Sequence, residues 1–349
     1  MSGAITLGAL PWPQYTDWSS LHGAGIRAEE LGYDSLWTWD HLYPIVGSAH
    51  GPMFEGYLTL AGWASATKRV RIGLMVGANP FRNPALVGKM VTQLDHMTGG
   101  RMTCGIGAAW FDDEHDDFGI EFGSSPGERL RWLEEAVVIL RGMFDGTEPS
   151  GTSRYATRKV RNDPPPVQAR LPILVGGGGE RKTLRIVAQY ADANNLGGGF
   201  ERVQHKESVL LQHCADVGRD PAEIERTANL GVVVIRDTAE QATRVLGELA
   251  AHNGGARSWP NQLVGTPETV AAELRRFAGI GYRHVIAGFP SPYDPESMER
   301  LATEVRPMLE ADMAAGPRPE RDPSTAGASS PTIWSRSRSI PWIRWPSRS

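Results

Sequence analysis

The chain has 349 residues, 40% apolar and 22% charged, with 36 Lys and Arg against 40 Asp and Glu. That is ordinary globular usage for one or two domains and excludes wholesale disorder. Arg336, Arg338, Arg344 and Arg348 all follow the last acidic residue, Asp322, so the body before them holds 32 basic against 40 acidic groups, a net −8. Such a body draws neither nucleic acid nor an anionic membrane to its surface as a whole.

Predicted elements alternate along the body. Residues 5–10 form a strand and 18–31 a helix that stops at Gly32. Residues 35–41 give the second strand and 57–67 the next helix; strands at 71–76 and 102–108 flank a helix over 84–97. A helix over 128–144 carries Leu130, Leu133, Val137 and Leu140 on one face. Residues 171–175 lead through a glycine run into a helix over 181–190, and 192–196 is a short strand before a helix over 201–217. The β-branched run 230–235 is a strand, followed by helices over 239–252 and 267–278, the second with Pro in its first turn. A strand at 282–289 and a helix at 295–309 complete the series.

Eight apolar strands, nearly every one followed by a helix, imply parallel pairing with both sheet faces covered. Over about 310 residues they match an α/β fold of the (β/α)8 TIM-barrel type, with an open doubly wound sheet as the competing arrangement. Two segments exceed what connections need: 145–170, with the basic cluster Arg154, Arg158, Lys159 and Arg161, and the Gly-rich 253–265, with Trp259. A single catalytic domain is expected over 1–313. Residues 314–349, rich in Pro, Ser and Arg with Trp334, Trp342 and Trp345, are expected to be a disordered tail.

Cys104 and Cys214 are too few for a disulfide framework and form no C-x-x-C; Cys104, inside the apolar run 102–106, reads as a buried thiol. The first residues lack a basic n-region and a long apolar stretch, and no apolar run approaches the roughly 18 residues of a spanning helix. The expectation is a cytoplasmic protein.

In a barrel, chemistry sits at the C-terminal ends of the strands. There the chain places Trp37-Thr38-Trp39-Asp40-His41, then the stretch from Val76 to Pro84, then Gly105-Ile106-Gly107-Ala108-Ala109-Trp110, and finally the run from Gly176 to Thr183. Asp40-His41 at a strand end is the best acid/base candidate, since imidazole titrates near neutrality and the strand end holds it; a plain polar loop start is the other reading. The four glycines before a helix can bring backbone N–H groups to a phosphate, or can simply make a tight turn. Arg181 stands where a Walker loop requires Gly, and no G-x-G-x-x-G is completed here or after Gly107. The acidic run 112–117 lacks the order of a calcium loop and reads as a solvated loop; His96 reads as structural. No metal-ligand spacing and no nucleophile elbow is present.

Four stretches in this order, Ser35 to His41, Arg71 to Pro84, Leu94-Asp95-His96-Met97-Thr98-Gly99-Gly100-Arg101 and Gly105 to Trp110, together with 171–180, resemble the luciferase-like flavin and deazaflavin enzymes, specifically their F420-dependent oxidoreductase branch. The resemblance spans residues 5–309 and implies a TIM barrel, a homodimer and a small organic substrate. It places Asp40 and His41 beside the reactive ring, His41 as proton donor or acceptor, and Asn79 on the cofactor's inner side. It puts a non-proline cis peptide, bulging behind the ring, at Met75–Val76. Gly107 and Ala108 would pack against the cofactor, and Gly177, Gly178 and Gly179 would hold its phosphate. Trp39, Tyr43 and Trp110 would line the substrate pocket. Trp110 replaces the glutamate of the family's sugar-phosphate dehydrogenases, which weakens sugar-phosphate oxidation as a reading. Arg181, Lys182 and the cluster from Arg154 to Arg161 are candidates for the anionic tail of F420. The alternatives are an FMN-dependent monooxygenase of the same fold and a non-catalytic cofactor-binding barrel.

Overall fold

A computed structural model describes residues 4–255, 259 and 262–314. The tail expected over 314–349 lies outside the described residues apart from Ala314.

The strands are β1 (Thr6–Pro11), β2 (Ser35–Thr38), β3 (Arg71–Leu74), β4 (Gly77–Ala78), β5 (Met102–Gly107), β6 (Ile173–Gly176), β7 (Ala193–Gly197), β8 (Glu225–Ile235), β9 (Gln262–Gly265) and β10 (His284–Phe289). They pair in parallel in the order β10-β1-β2-β3-β5-β6-β7-β8, and β10 pairs back onto β8, so the sheet closes. β3 and β4 are one strand broken at Met75-Val76, both parts pairing with β5. The closed eight-stranded barrel is the expected one; the open sheet is not formed. β9 runs beside only the second half of β8, from Val232 to Ile235.

The helices are α1 (Trp18–Glu30), α2 (Gly56–Ala66), α3 (Pro84–Thr98), α4 (Asp113–Phe118), α5 (Pro126–Phe144), α6 (Thr183–Tyr190), α7 (Phe200–Val217), α8 (Ala239–His252), α9 (Pro267–Gly279), α10 (Pro295–Arg300) and, after a π turn, α11 (Arg306–Ala314). Local chemistry sets their ends. Asn83 caps α3 by accepting the Ala85 N–H, Pro84 takes its first turn, and Gly99 ends it in the left-handed conformation. No helix among the described residues is long and apolar enough to cross a membrane.

Five expectations shift. The acidic run 112–117 is not a solvated loop: it winds into α4 and buries Glu114 and His115. The Gly-rich 253–265 contains β9. The second strand ends at Thr38, leaving Trp39, Asp40 and His41 beyond the ladder, and the helix expected from Arg181 begins at Thr183. β8 starts five residues before Leu230, hidden by its polar opening Glu225-Arg226-Thr227; at its middle Gly231 adopts φ +70°, its N–H bonded to Asn229 Oδ1, and the register to β10 shifts.

One apolar layer lies between barrel and helices, with Leu133, Ala136, Val137 and Leu140 of α5 buried against the strands. A second fills the barrel and includes Leu10, Trp37, Met75, Leu174, Val232 and Ile286. Trp37 fits because Gly8 and Gly73 flank it: a Cβ on Gly73 would come within 2.7 Å of its ring. Cys104 and Cys214 are both buried, and burial pushes the Cys104 thiol up to about 12, which keeps it protonated and inert.

Candidate active site

The C-terminal end of β2 delivers Asp40 and His41 side by side, and each goes to a different partner. Asp40 is fully buried and accepts the Ala78 N–H at 2.8 Å and both Arg82 nitrogens, at 2.8 and 3.0 Å. Arg82 also pairs with Glu55 and lies 4.9 Å over the Tyr57 ring. Burial pushes the Asp40 carboxyl up against the pull of Arg82 and the Ala78 amide. Both its oxygens are occupied, so Asp40 ties the loop after β2 to the turn after β4.

His41 turns toward α4. Its Nδ1 lies 2.8 Å from Glu114 Oε1, while Glu114 Oε2 accepts the Leu42 N–H at 2.8 Å. The Glu114 side chain is 1% exposed and that of His41 13%. The Trp110 ring stands edge-on at 5.5 Å and Phe111 lies 6.3 Å away. Among the described residues His41 Nε2 has no hydrogen-bond partner, so the pair leaves one nitrogen available. Glu114 carries no signal within the acidic run; the nearest is Gly119, a left-handed stop at φ +64° that implies a preceding helical turn.

The break between β3 and β4 is built around Val76, and the Met75–Val76 peptide is cis. A Cβ on Gly107 would lie 2.6 Å from one Val76 methyl, and one on Gly176 would lie 2.6 Å from the other. Two strand-end glycines therefore make the notch that seats this side chain. Ala108 follows at the end of β5, half-buried.

Asn79 is buried, with neither amide atom hydrogen-bonded among the described residues. It faces the Tyr155 hydroxyl, which burial pushes up to about 12. Tyr155 comes from the segment after α5, which Glu135 grips by accepting the Thr152, Ser153 and Arg154 N–H groups. Arg154 is committed to Glu121 and to the Trp132 ring. A cleft of about 220 Å³ separates Pro80–Asn83 from Arg154–Ala156.

After β6 the glycine run turns with Gly177 at φ +111°, its N–H donated to Asn195. A Cβ on Gly179 would sit 2.6 Å from Thr183 Oγ1, so a larger residue there would push the Thr183 hydroxyl aside at the start of α6. The Lys206 stem packs over Gly178 while its ammonium pairs with Glu180. Arg181 and Lys182 are exposed. The loop is a backbone cradle at a helix start with cations beside it, a fit for a phosphate.

The aromatic residues expected as a pocket have different ring partners. Trp39 packs 4.7 Å from Trp12, which lies 5.0 Å from Trp259 of the Gly-rich segment, and all three are buried. Trp110 is 50% exposed and stacks on Phe111. Tyr43 donates to Asp117 at 3.1 Å and packs against Phe118, both on α4. His96 bonds the Pro165 carbonyl at 2.8 Å, tying α3 to the segment after α5, a structural role as expected.

Comparison with known proteins follows the same lines. The chain is 29% identical over 248 residues to 4-hydroxyprotoasukamycin monooxygenase of Streptomyces nodosus subsp. asukaensis, covering 68% of this chain and 64% of that enzyme, so it spans less than two thirds of that relative. It is 26% identical over 326 residues to an F420-dependent glucose-6-phosphate dehydrogenase of Intrasporangium calvum, covering 81% and 92%. The fold superposes on an F420-dependent secondary alcohol dehydrogenase, solved with an F420–acetone adduct, with a TM-score of 0.75 at 21% identity over 88% of this chain and 99% of that one. The model of the luciferase-like monooxygenase family matches residues 10–284, and the chain belongs to that family.

Proposed function

We propose that the chain is an F420-dependent oxidoreductase acting on a small organic substrate. The observation that carries this reading is His41, held by a buried carboxylate through Nδ1 and open at Nε2, beyond the C-terminal end of β2. When bound, the deazaflavin supplies hydride transfer at its C5 position; the protein's part is to orient it, exclude water and handle the accompanying proton. Gly178 and Gly179 would hold its phosphate at the turn that Gly177 makes, and the buried Asn79 amide would suit a polar heteroatom of the cofactor. Val76, Gly107 and Ala108 would hold its ring. His41 Nε2 would give a proton to the substrate or take one from it. Asp40, spent on Arg82, holds the turn that carries Asn79. Trp39 and Trp110 supply aromatic surface for an apolar or conjugated substrate, and Tyr43 steadies α4 beside them.

Arg181 and Lys182 stand next to the glycine loop and serve the anionic tail of F420; the Arg154 guanidinium and the Lys206 ammonium are already paired. Binding therefore weakens with added salt, and a flat response between low and high ionic strength counts against this assignment. A homodimer in the cytoplasm is expected, with light scattering as the check on the assembly.

The monooxygenase relative at 29% identity supports a second reading, an FMN-dependent monooxygenase using the same pocket. Fluorescence titration with F420 and, separately, FMN decides between them. F420 binding at micromolar concentration or tighter with weak FMN binding is expected; FMN preference, with oxygen consumed by the reduced complex, moves the protein to the second reading. Binding without turnover on enones, quinones or alcohols leaves a cofactor-binding barrel.

A further inference from the structure

The two oxygens of Glu114 have fixed and different obligations. Oε2 faces the Leu42 N–H, which can only donate, so that oxygen is an acceptor. Oε1 faces His41 Nδ1, and a carboxylate oxygen there demands a proton on Nδ1. No other polar group of the described residues is hydrogen-bonded to the ring, which has the Trp110 and Phe111 rings beside it. The neutral imidazole is thereby confined to one tautomer, with Nδ1 protonated and Nε2 carrying the lone pair.

We propose that Glu114 is a positioning residue that sets the tautomer of His41, so that Nε2 is the nitrogen offered to the substrate. The inference rests on the reading of His41 as the proton partner. It adds where the proton sits and which residue puts it there. Glu114 reaches His41 and the next residue's amide together, which fixes the plane of the ring as well as its proton. A carboxylate holding one ring nitrogen so that the other can work is the general way an imidazole is directed.

A glutamine at this position makes a sharp test. It has one oxygen and one NH2. The oxygen must go to the Leu42 N–H, because an NH2 there would set donor against donor. The NH2 then points at Nδ1, which has to become an acceptor, and the proton moves to Nε2. Glu114→Gln thus keeps size and contacts but reverses the tautomer.

The experiment is two-bond proton–nitrogen NMR on the full chain with 15N-labelled histidine, read at the alkaline end of a titration where the ring is neutral. The His41 signals are assigned by their loss in His41→Asn. Wild type is expected to show Nδ1–H and Glu114→Gln to show Nε2–H. In parallel, turnover in Glu114→Gln is expected to fall about 100-fold or more while F420 affinity changes less than about twofold. An Nε2–H wild-type spectrum overturns the proposal and needs no variant to be seen. A reversed tautomer with unchanged turnover overturns the positioning role. If wild type shows Nδ1–H and the variant Nε2–H but no cofactor supports turnover in either, the tautomer assignment stands and the hydride-transfer reading is what fails.

Discussion

Two histidine–carboxylate pairs lie at opposite ends of this barrel, and they differ in one respect. At the floor, Ser35, Arg71, Glu225 and His284 are the first residues of β2, β3, β8 and β10. His284 Nδ1 meets Glu225 at 2.7 Å and its Nε2 meets Ser35 Oγ at 2.8 Å; Arg71 donates to Glu225, and Trp37 Nε1 donates to Ser35. Every nitrogen of that imidazole is used. At the mouth, His41 has the same carboxylate contact at 2.8 Å but an unused Nε2. A closed network positions strands, whereas an open one keeps a proton site in reserve. The arrangement agrees with the rule that barrels work at the C-terminal ends of their strands and stabilise themselves at the other end.

The sharpest way to break this contrast is to remove each ring in turn. His41→Ala is expected to lower turnover by about 10²–10⁴-fold, the usual contribution of a positioned acid or base, with F420 affinity and urea midpoint close to wild type. Retained turnover would end the functional half of the comparison. His284→Ala should do the reverse. It takes out a ring whose side chain is 2% exposed and leaves Glu225 and Ser35 each short of a partner. A loss of about 3 kcal/mol in urea unfolding is expected, with the folded fraction turning over normally. A stable but inactive His284→Ala protein would mean that the floor reaches the chemistry.

A smaller effect follows from the packing above that floor. Gly73→Ala places a methyl 2.7 Å from the Trp37 ring and 2.9 Å from the Thr103 carbonyl, both deep in the barrel where neither can retreat. The cost should be about 2 kcal/mol, read as a lower urea midpoint at unchanged cofactor affinity. Gly99→Ala, at a left-handed helix end with nothing within 4 Å, is the control in which conformation alone is disturbed.

The same contrast explains what the residue order could reveal. The barrel is legible because its strands are buried on both faces and read as apolar runs separated by helices. Asp40-His41 and the glycine run are legible because strand ends are where polar residues and glycines interrupt those runs. Glu114 is not, since five acidic residues in the six from 112 to 117 look like a solvated surface, and only the fold shows one of them turned inward. Arg82 is lost for a related reason: its partner Asp40 stands 42 positions earlier. The polar opening of β8 fails as a strand pattern because Glu225 is spent on Arg71 and His284 at the floor and Arg226 on Glu207 of α7. The cis peptide at Met75–Val76 follows from the family resemblance and from nothing in the composition of those residues.

The smallest expected effect is a pH dependence that sharpens the description of the floor. Burial pushes the Glu225 carboxyl up, but hydrogen bonds from His284 and Arg71 outweigh it and hold the group well below the ordinary carboxylate range. Glu225 is thus a stronger acid in the folded than in the unfolded chain. Its contribution is complete above the unfolded value of about 4.3 and fades as pH falls toward the folded one. The side chain is 37% exposed, so solvent screens much of the interaction and the effect stays modest. Urea midpoints of wild type and Glu225→Gln should differ at pH 7 and converge on going from pH 5 to pH 3. Parallel midpoints would move the acid sensitivity elsewhere. The first place to look would be Glu135, where burial pushes up but the amides of Ser153, Arg154 and Thr152 prevail and hold the carboxyl at about 2. Glu135→Gln should flatten the same acid limb and speed tryptic cleavage after Arg154, whereas Glu225→Gln should leave that cleavage alone, so the two carboxylates can be told apart by where the chain opens.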